Sequence, residues 1–355
     1  MSKPEESASS IQTVGVIGEG QMGTSIFYSL ADSSYSLRWI GSENADIPRL
    51  QHNFEKKIRR ALKTGIMSQE QHDQILRQTI ITNDLNVTAD CDLVIEAIPE
   101  ELPIKQTLFT ALNDIVKPSG ILASNSSSIN PSNLFTGTKR DDRIIGMHYF
   151  YPVPLKESVE LVTTCSTASD VRANVVEFLH NSGKFILELN ESNSFILNKI
   201  YFDIQNEAYK IAEQGKATVE QLDLLVKEGL FPLGLFDFMD HIGIDTMLNS
   251  VKNYVSCYPQ KDTYSGLLKR LQGMVDEGNL GRKSGAGFYR YQESQQITPH
   301  AVDPLPEETA GEIIQFLRFT YLSAAKRFTM LSGCTTGEMN QAIREYLGIE
   351  KGPFE

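Results

Sequence analysis

The sequence has no apolar run approaching the roughly 20 residues that a membrane-spanning helix needs, so no segment predicts a membrane helix. The stretch Met1 to Ser10 is polar, carries Glu5 and Glu6, and lacks the basic-then-apolar order of a secretory signal. It reads as part of a short disordered tail, residues 1–11, on a cytoplasmic protein. Cysteine is scarce: Cys91, Cys165, Cys257 and Cys334 stand far apart with no CxxC pair. That spacing argues against a metal site or a disulfide framework, and Cys91 and Cys165, beside apolar segments, read as packing residues. Positive charge is short as well. The formal net charge is -12 and the pI about 5.1, a field that nucleic acid could overcome only through a compact basic face.

What remains is ordinary globular material. With 355 residues, 41% of them hydrophobic and 22% charged, the chain is long enough for two or three domains with cores of normal size. One basic cluster stands out: Lys56, Lys57, Arg59, Arg60 and Lys63. It reads either as a solvated helix face or as an anion-binding surface.

Short apolar segments read as strands at Thr13 to Ile17, Ser36 to Ile40, Thr79 to Thr82, Leu93 to Ile98, Gly120 to Ala123, Ile144 to Met147 and Phe185 to Leu189. Helical patterns fall between them at 49–64, 68–77, 104–116 and 169–182. Strands alternating with helices imply a parallel sheet covered on both faces. The texture changes near Asn190. From Ser194 onward Phe195, Ile196, Ile200, Ile204, Ala208 and Ile211 recur at helical spacing, and helical segments continue to about 277. A glycine-rich turn with an aromatic, strand-like end follows at 279–291, then a polar stretch with Pro299, Pro304 and Pro306 that reads as a linker.

The chain also repeats itself. Residues 194–237 and 312–355 align without gaps at an offset of 118, with Gly215 on Gly333, Gly234 on Gly352, Phe236 on Phe354 and Asp237 on Glu355. Shared glycines and a shared hydrophobic phase favour duplication over chance. The expected domains are an α/β unit at 12–190, a helical unit at 191–294, a linker at 295–311 and a partial helical repeat at 312–355.

The strand Thr13 to Ile17 runs into Gly18-Glu19-Gly20-Gln21-Met22-Gly23 and then an apolar helix. A lone GxGxxG is weak, but here it has a strand before it and a helix after it. Gly18 permits the tight turn, Gly20 lets a pyrophosphate approach the backbone, and Gly23 lets helix and strand pack closely. The free N–H groups at the helix start, from Gln21 and Met22 onward, can hold phosphates. The fold class that follows is an α/β Rossmann-type N-terminal domain, an all-α C-terminal domain and the additional partial α-helical repeat. One element is missing. Such sites place Asp or Glu at the end of the second strand for the ribose hydroxyls, and here Leu37-Arg38-Trp39-Ile40 ends in Gly41-Ser42. Either Glu43 takes that role, or the ribose is held loosely, or Ser42 and a nearby base accept a 2′-phosphate. NAD and NADP both stay open.

Six segments occur in the order found in 3-hydroxyacyl-CoA dehydrogenases: Val16-Ile17 through the glycine turn, 93–98 (Leu-Val-Ile-Glu-Ala-Ile), 124–128 (Ser-Asn-Ser-Ser-Ser), 148–154 (His-Tyr-Phe-Tyr-Pro-Val-Pro), 240–246 (Asp-His-Ile-Gly-Ile-Asp-Thr) and 281–289 (Gly-Arg-Lys-Ser-Gly-Ala-Gly-Phe-Tyr). The chain resembles that family over residues 13–291, and the repeat resembles the extra helical unit of its longer members. The resemblance implies an NAD- or NADP-dependent oxidation of an L-3-hydroxyacyl-CoA, or reduction of the 3-oxo form, in fatty-acid-type metabolism. It implies a His148–Glu160 pair as catalytic groups, Ser127 and Asn198 on the substrate's 3-oxygen, and Glu96, Lys105, Ser127 and Lys283 against the cofactor. By region, Lys56 and Lys63 fall where relatives meet the phosphates of coenzyme A. A homodimer through the helical domain is implied too, unless the second repeat folds back over that face.

The chemistry stands beside the resemblance. Oxidising a secondary alcohol needs a base for the hydroxyl proton while hydride leaves to nicotinamide. Histidine suits this because its ordinary pKa, near 6.5, lies close to working pH. A carboxylate on its other nitrogen selects the tautomer and stabilises the imidazolium. There are departures from the family: Tyr151 where it has Asn, Asn193-Ser194-Phe195 where it has Pro-Gly-Phe, Gly41 for the ribose acid, and Gly234-Leu235-Phe236-Asp237 for Gly-Pro-Phe-Glu. They put cofactor preference and acyl or carrier recognition in question. The alternatives are a carrier-bound hydroxyacyl group, a sugar acid such as L-gulonate, and a cofactor-binding structural or regulatory protein without turnover.

Overall fold

A computed structural model describes residues 11–31, 34–134, 140–256, 261–292 and 302–355. The chain divides into two compact units, Met1–Ser194 and Phe195–Glu355. The break falls four residues beyond the boundary expected at 190, because a short 3-10 turn at Glu191–Asn193 still belongs to the first unit.

The first unit holds β1 (Thr13–Ile17), α1 (Gln21–Leu30), β2 (Ser36–Ile40), α2 (Ile47–Lys63), α3 (Gln69–Gln78), β3 (Thr79–Thr82), β4 (Leu93–Glu96), α4 (Leu102–Ile115), β5 (Ile121–Ser124), α5 (Pro131–Leu134), β6 (Ile144–Tyr149), β7 (Ser158–Thr163), α6 (Ser169–Asn181) and β8 (Phe185–Asn190). Its eight-stranded sheet runs β3-β2-β1-β4-β5-β6-β7-β8. Strand order reverses between β1 and β4, the place where such sheets open a crevice at their carboxyl ends. β4 and β5 are buried throughout, as strands covered on both faces are.

Helix signals work as local chemistry predicts. The Asp46 carboxylate accepts from Arg49 N, Pro48 sits in the first turn of α2, and Leu50, Phe54 and Ile58 form its buried stripe. Ser68 and Gln71 cap α3 reciprocally. In contrast α1 starts at Gly20 with no side-chain cap.

Three features differ from the sequence reading. β7 was not expected as a strand, and it pairs antiparallel with β6, so the sheet is not wholly parallel. A loop of eight residues is too short for a crossover and allows only an antiparallel return. Ile11, placed in the disordered tail, is buried in the core of the first unit; residues 1–10 lie outside the described residues. Cys165, expected to pack, is exposed, whereas Cys91 is buried and its thiol is pushed up to about 12 by burial. Cys257 lies outside the described residues.

The second unit holds α7 (Ile196–Glu213), α8 (Val219–Gly229), α9 (Leu235–Ile242), α10 (Ile244–Ser256), α11 (Ser265–Asp276), α12 (Glu307–Ser332) and α13 (Thr336–Leu347). The linker expected to reach residue 311 ends earlier, because α12 begins at Glu307; residues 293–301 lie outside the described residues. α12 packs along α7, α13 touches α7, and α8 touches α12. Reciprocal contact of this kind is what two copies of one motif make about a pseudo-two-fold axis. Arg327 of α12 pairs with Asp203 of α7, whose carboxyl burial pushes upward against the pull of that arginine and of the Tyr264 and Tyr254 hydroxyls.

The repeat is not gapless. Gly215 and Gly333 follow α7 and α12 at the expected offset of 118, but the capping boxes Thr218–Gln221 and Thr335–Glu338 stand 117 apart. The second hairpin turn is one residue shorter, and the residue is regained before Gly352. Accordingly Asp223 accepts from Phe236 N, whereas Asn340, not Gln341, accepts from Phe354 N.

Candidate active site

The glycine turn joins β1 to α1 at the carboxyl edge of the sheet. Gly18 has φ +118, and a Cβ there would lie 2.4 Å from the Ala97 carbonyl oxygen. A Cβ on Gly23 would lie 2.2 Å from the Gly18 oxygen. Both glycines are therefore required by packing. Gly20 differs: a Cβ there meets nothing within 4 Å, and both Gly20 and Gln21 are exposed while Met22 leans on the core. An open turn followed by an uncapped helix start presents N–H groups to solvent, which fits a dinucleotide pyrophosphate. Trp39 of β2 donates from its ring nitrogen to the Gly18 oxygen at 2.8 Å, bracing the turn from beneath.

At the end of β2 the expected Glu43 is exposed, and Arg38 is committed to Asp90 and to the carbonyls of Leu37 and Gln78. The carboxylate found there instead is Glu19, from the glycine turn. It accepts from Ser42 N at 3.0 Å and from Ser42 Oγ at 2.6 Å. Burial raises the Glu19 carboxyl, but the two Ser42 donors outweigh it and leave the group below its ordinary value. Sequence reasoning passed over Glu19; the available signal was an acidic residue inside the glycine turn.

Glu96 and Lys105, expected against the cofactor, are both buried and are partners of each other, Nζ to Oε1 at 2.5 Å. Glu96 Oε2 also accepts from Ser124 Oγ. Glu100, another residue the sequence reading missed, gathers the serine turn. Its Oε1 accepts from Ser126 Oγ, Ser127 N, Ser128 N and Ser128 Oγ at 2.5–3.1 Å, and Lys105 lies 3.3 Å from its other oxygen. Burial raises the Glu100 carboxyl, yet Lys105 and the serine hydroxyls hold it below the usual carboxylate range. The outcome is that Ser127 has its backbone anchored, while its hydroxyl has no hydrogen-bond partner among the described residues.

His148 lies in β6, two residues past the register partner of Ser124, so it stands at the carboxyl edge. Its register partner across the antiparallel pair is Glu160. His148 Nδ1 is 2.7 Å from Glu160 Oε2, with the carboxylate fully buried. Asn125 Oδ1 accepts from Tyr149 N, tying the serine turn to the residue after His148. Tyr151 is half-exposed.

In the second unit Asn198 lies on the first turn of α7, and its Oδ1 accepts from Tyr346 Oη of α13 at 2.9 Å. Lys283, expected at the cofactor, is held by both oxygens of Asp245 at 2.6 Å. Asp240 accepts from Phe288 N, Tyr289 N and Tyr291 Oη, so the 240–246 and 281–289 motifs are two halves of one hydrogen-bonded assembly. Lys56 and Lys63 are exposed on the polar side of α2.

A Rossmann-type sheet with an open glycine turn and a carboxylate-bound imidazole at the same edge defines a nicotinamide-dependent dehydrogenase. Residues 13–192 match the family model of the 3-hydroxyacyl-CoA dehydrogenase NAD binding domain, and residues 195–291 that of the C-terminal domain. The chain belongs to the 3-hydroxyacyl-CoA dehydrogenase family, and NAD is the cofactor its first domain indicates. A probable 3-hydroxybutyryl-CoA dehydrogenase of Deinococcus radiodurans is 38% identical over 78% of this chain and 99% of its own length. The crystal structure of (S)-3-hydroxybutyryl-CoA dehydrogenase from Ralstonia eutropha is 30% identical, with TM-score 0.71 over 80% of this chain and all of that one. The Escherichia coli 3-hydroxybutyryl-CoA dehydrogenase structure, 20% identical, shares the fold over 97% of this chain with TM-score 0.77.

Proposed function

We propose that the chain interconverts an L-3-hydroxyacyl-CoA and its 3-oxoacyl-CoA with NAD, using His148 as the proton-transferring group. In the oxidative direction the C3–H leaves as hydride, which the nicotinamide ring accepts when the cofactor is bound. The hydroxyl proton passes to His148 Nε2. Glu160, bound at Nδ1, keeps the imidazole in one tautomer and stabilises it once protonated. The Ser127 hydroxyl and the Asn198 amide donate to the 3-oxygen, whose charge grows during proton removal. The observation that supports this most directly is the His148–Glu160 hydrogen bond at 2.7 Å.

The exposed lysines of α2 support a contact with the phosphates of coenzyme A. K56E/K63E should raise KM for an acyl-CoA and flatten its salt dependence, leaving KM for a phosphate-free pantetheine thioester unchanged. Loss of reduced-nicotinamide absorbance on mixing NADH with acetoacetyl-CoA tests the activity itself; no turnover with any 3-oxoacyl thioester would sink the proposal.

For assembly, the homodimer read from the sequence would have to form through a face other than that of α7 covered by α12. Light scattering on the full chain, compared with a chain ending at residue 295, separates cover in cis from dimerisation through α7. A full chain that runs as a monomer beside a shortened chain that dimerises is the result expected of cover in cis; two monomers would remove the dimer.

A further inference from the structure

The nicotinamide cofactor comes in two forms that differ by a 2′-phosphate on the adenosine ribose. Enzymes of this fold choose between them at the end of β2, with an acid for the free hydroxyl or a base for the phosphate. Here that position is Gly41. It cannot carry an acid without rearrangement: a Cβ there would lie 2.6 Å from Ala45 Cβ. The same Cβ would lie 3.8 Å from Glu19 Oε2. The carboxylate absent from the strand end is thus replaced, in nearly the same place, by one reaching over from the glycine turn.

Resting on the reading that the glycine turn binds this cofactor, we infer that Glu19 is the ribose-recognising acid and sets a preference for NAD over NADP. Ser42 N and Oγ hold the carboxylate in place. A carboxylate has about four acceptor positions, so both oxygens keep capacity for ribose hydroxyl donors after binding Ser42. The arrangement also excludes the phosphorylated form. Ser42's two donors, which a 2′-phosphate would need, are spent on Glu19, and Arg38, the base on β2, is turned to Asp90. A dianionic phosphate would meet a carboxylate instead of a guanidinium. Glu43, the acid that chain spacing points to, is exposed and makes none of these contacts.

The test is a binding titration on the full-length protein. Trp39 is the sole tryptophan and touches the glycine turn, so its emission reports NADH and NADPH binding without turnover. The unaltered protein should bind NADH more tightly than NADPH. E19A should weaken NADH by about tenfold or more, the loss expected for hydrogen bonds to a charged group, and should leave NADPH unchanged or tighter. S42A, which keeps the charge, should retain the preference. Equal loss of both cofactors in E19A, equal effects of S42A and E19A, or a preference lost in E43A but not in E19A would each overturn the assignment. Thermal denaturation of E19A guards against misfolding: a variant that melts like the parent and keeps its preference also refutes it. Absence of NADH binding by the parent protein would instead defeat the functional reading on which the inference stands.

Discussion

His148 and Glu160 face each other across the one antiparallel strand pair among the described strands, with Nδ1 2.7 Å from Oε2. Their separation of twelve residues is the path of a hairpin, and register brings them level. Because the carboxylate is fully buried and pairs with one imidazole nitrogen, it determines which nitrogen faces outward. H148A should lower kcat by roughly 10²–10⁴, the range for loss of a positioned acid–base group. E160Q keeps the shape but not the charge, and should lower kcat about 10²-fold while leaving NADH affinity as it was. Steady-state kinetics with Trp39 titrations check both; an E160Q enzyme with parental kcat would remove Glu160 from the reaction.

The glycines of the turn should separate into two kinds. G18A and G23A put a Cβ within 2.4 Å and 2.2 Å of backbone oxygens, so both should lower the melting temperature, by about 1–3 kcal/mol of stability. G20A has open space and should melt like the parent, yet bind NADH about tenfold more weakly because the added methyl stands where pyrophosphate approaches. Calorimetry and cofactor titration on the three variants decide this.

Glu100 makes stability depend on pH. Its carboxyl is held below the ordinary value, so the charged form stabilises the folded state above the unfolded pKa, and that contribution disappears as pH falls through the folded value. E100Q should therefore cost about 1–3 kcal/mol near neutral pH, the penalty for a buried network left short of an acceptor. The gap from the parent should close under acid, below about pH 4. Urea unfolding at several pH values measures it; a gap that stays constant with pH would contradict the sign.

Tyr346 donates to Asn198 Oδ1, which leaves the Asn198 NH2 group as the end available to a substrate oxygen. Y346F should lower kcat about three- to tenfold, the worth of one orienting hydrogen bond. It should have no further effect once Asn198 is alanine, since the tyrosine would act through that amide. A double-mutant cycle on kcat decides: additive effects would mean that Tyr346 acts elsewhere. Tyr346 lies beyond residue 291, where the family's C-terminal model ends, so the effect would be a contribution of the helical repeat.

Much of this was readable along the chain because it rests on local rules. Alternating short apolar runs and helical patterns identified seven of the eight strands and the helices between them other than α5, since burial on both faces demands continuous apolar segments. Gly18 and Gly23 were readable from their spacing, because a tight turn and a close helix–strand approach each exclude a side chain. β7 was missed: Ser158-Val159-Glu160-Leu161-Val162-Thr163 begins and ends polar and carries a buried carboxylate. The one-residue slip in the repeat was missed because glycines at both ends keep the same offset while the middle helix does not.

Residue types and their order settled the fold class and the glycine turn, because strand and helix periodicity and turn chemistry act between near neighbours; the histidine–glutamate pair came from the family resemblance, since the antiparallel register that brings the two level was not readable. Which charges meet was decided only by tertiary structure. Glu19 reaches Ser42, Lys105 turns to Glu96 and Glu100, Lys283 to Asp245, and Tyr346 to Asn198. These partners are 5 to 148 residues apart with no shared period, and a long polar side chain can point several ways from one backbone position. Burial removes water as the competing partner, and only the packed chain determines which group is left within reach.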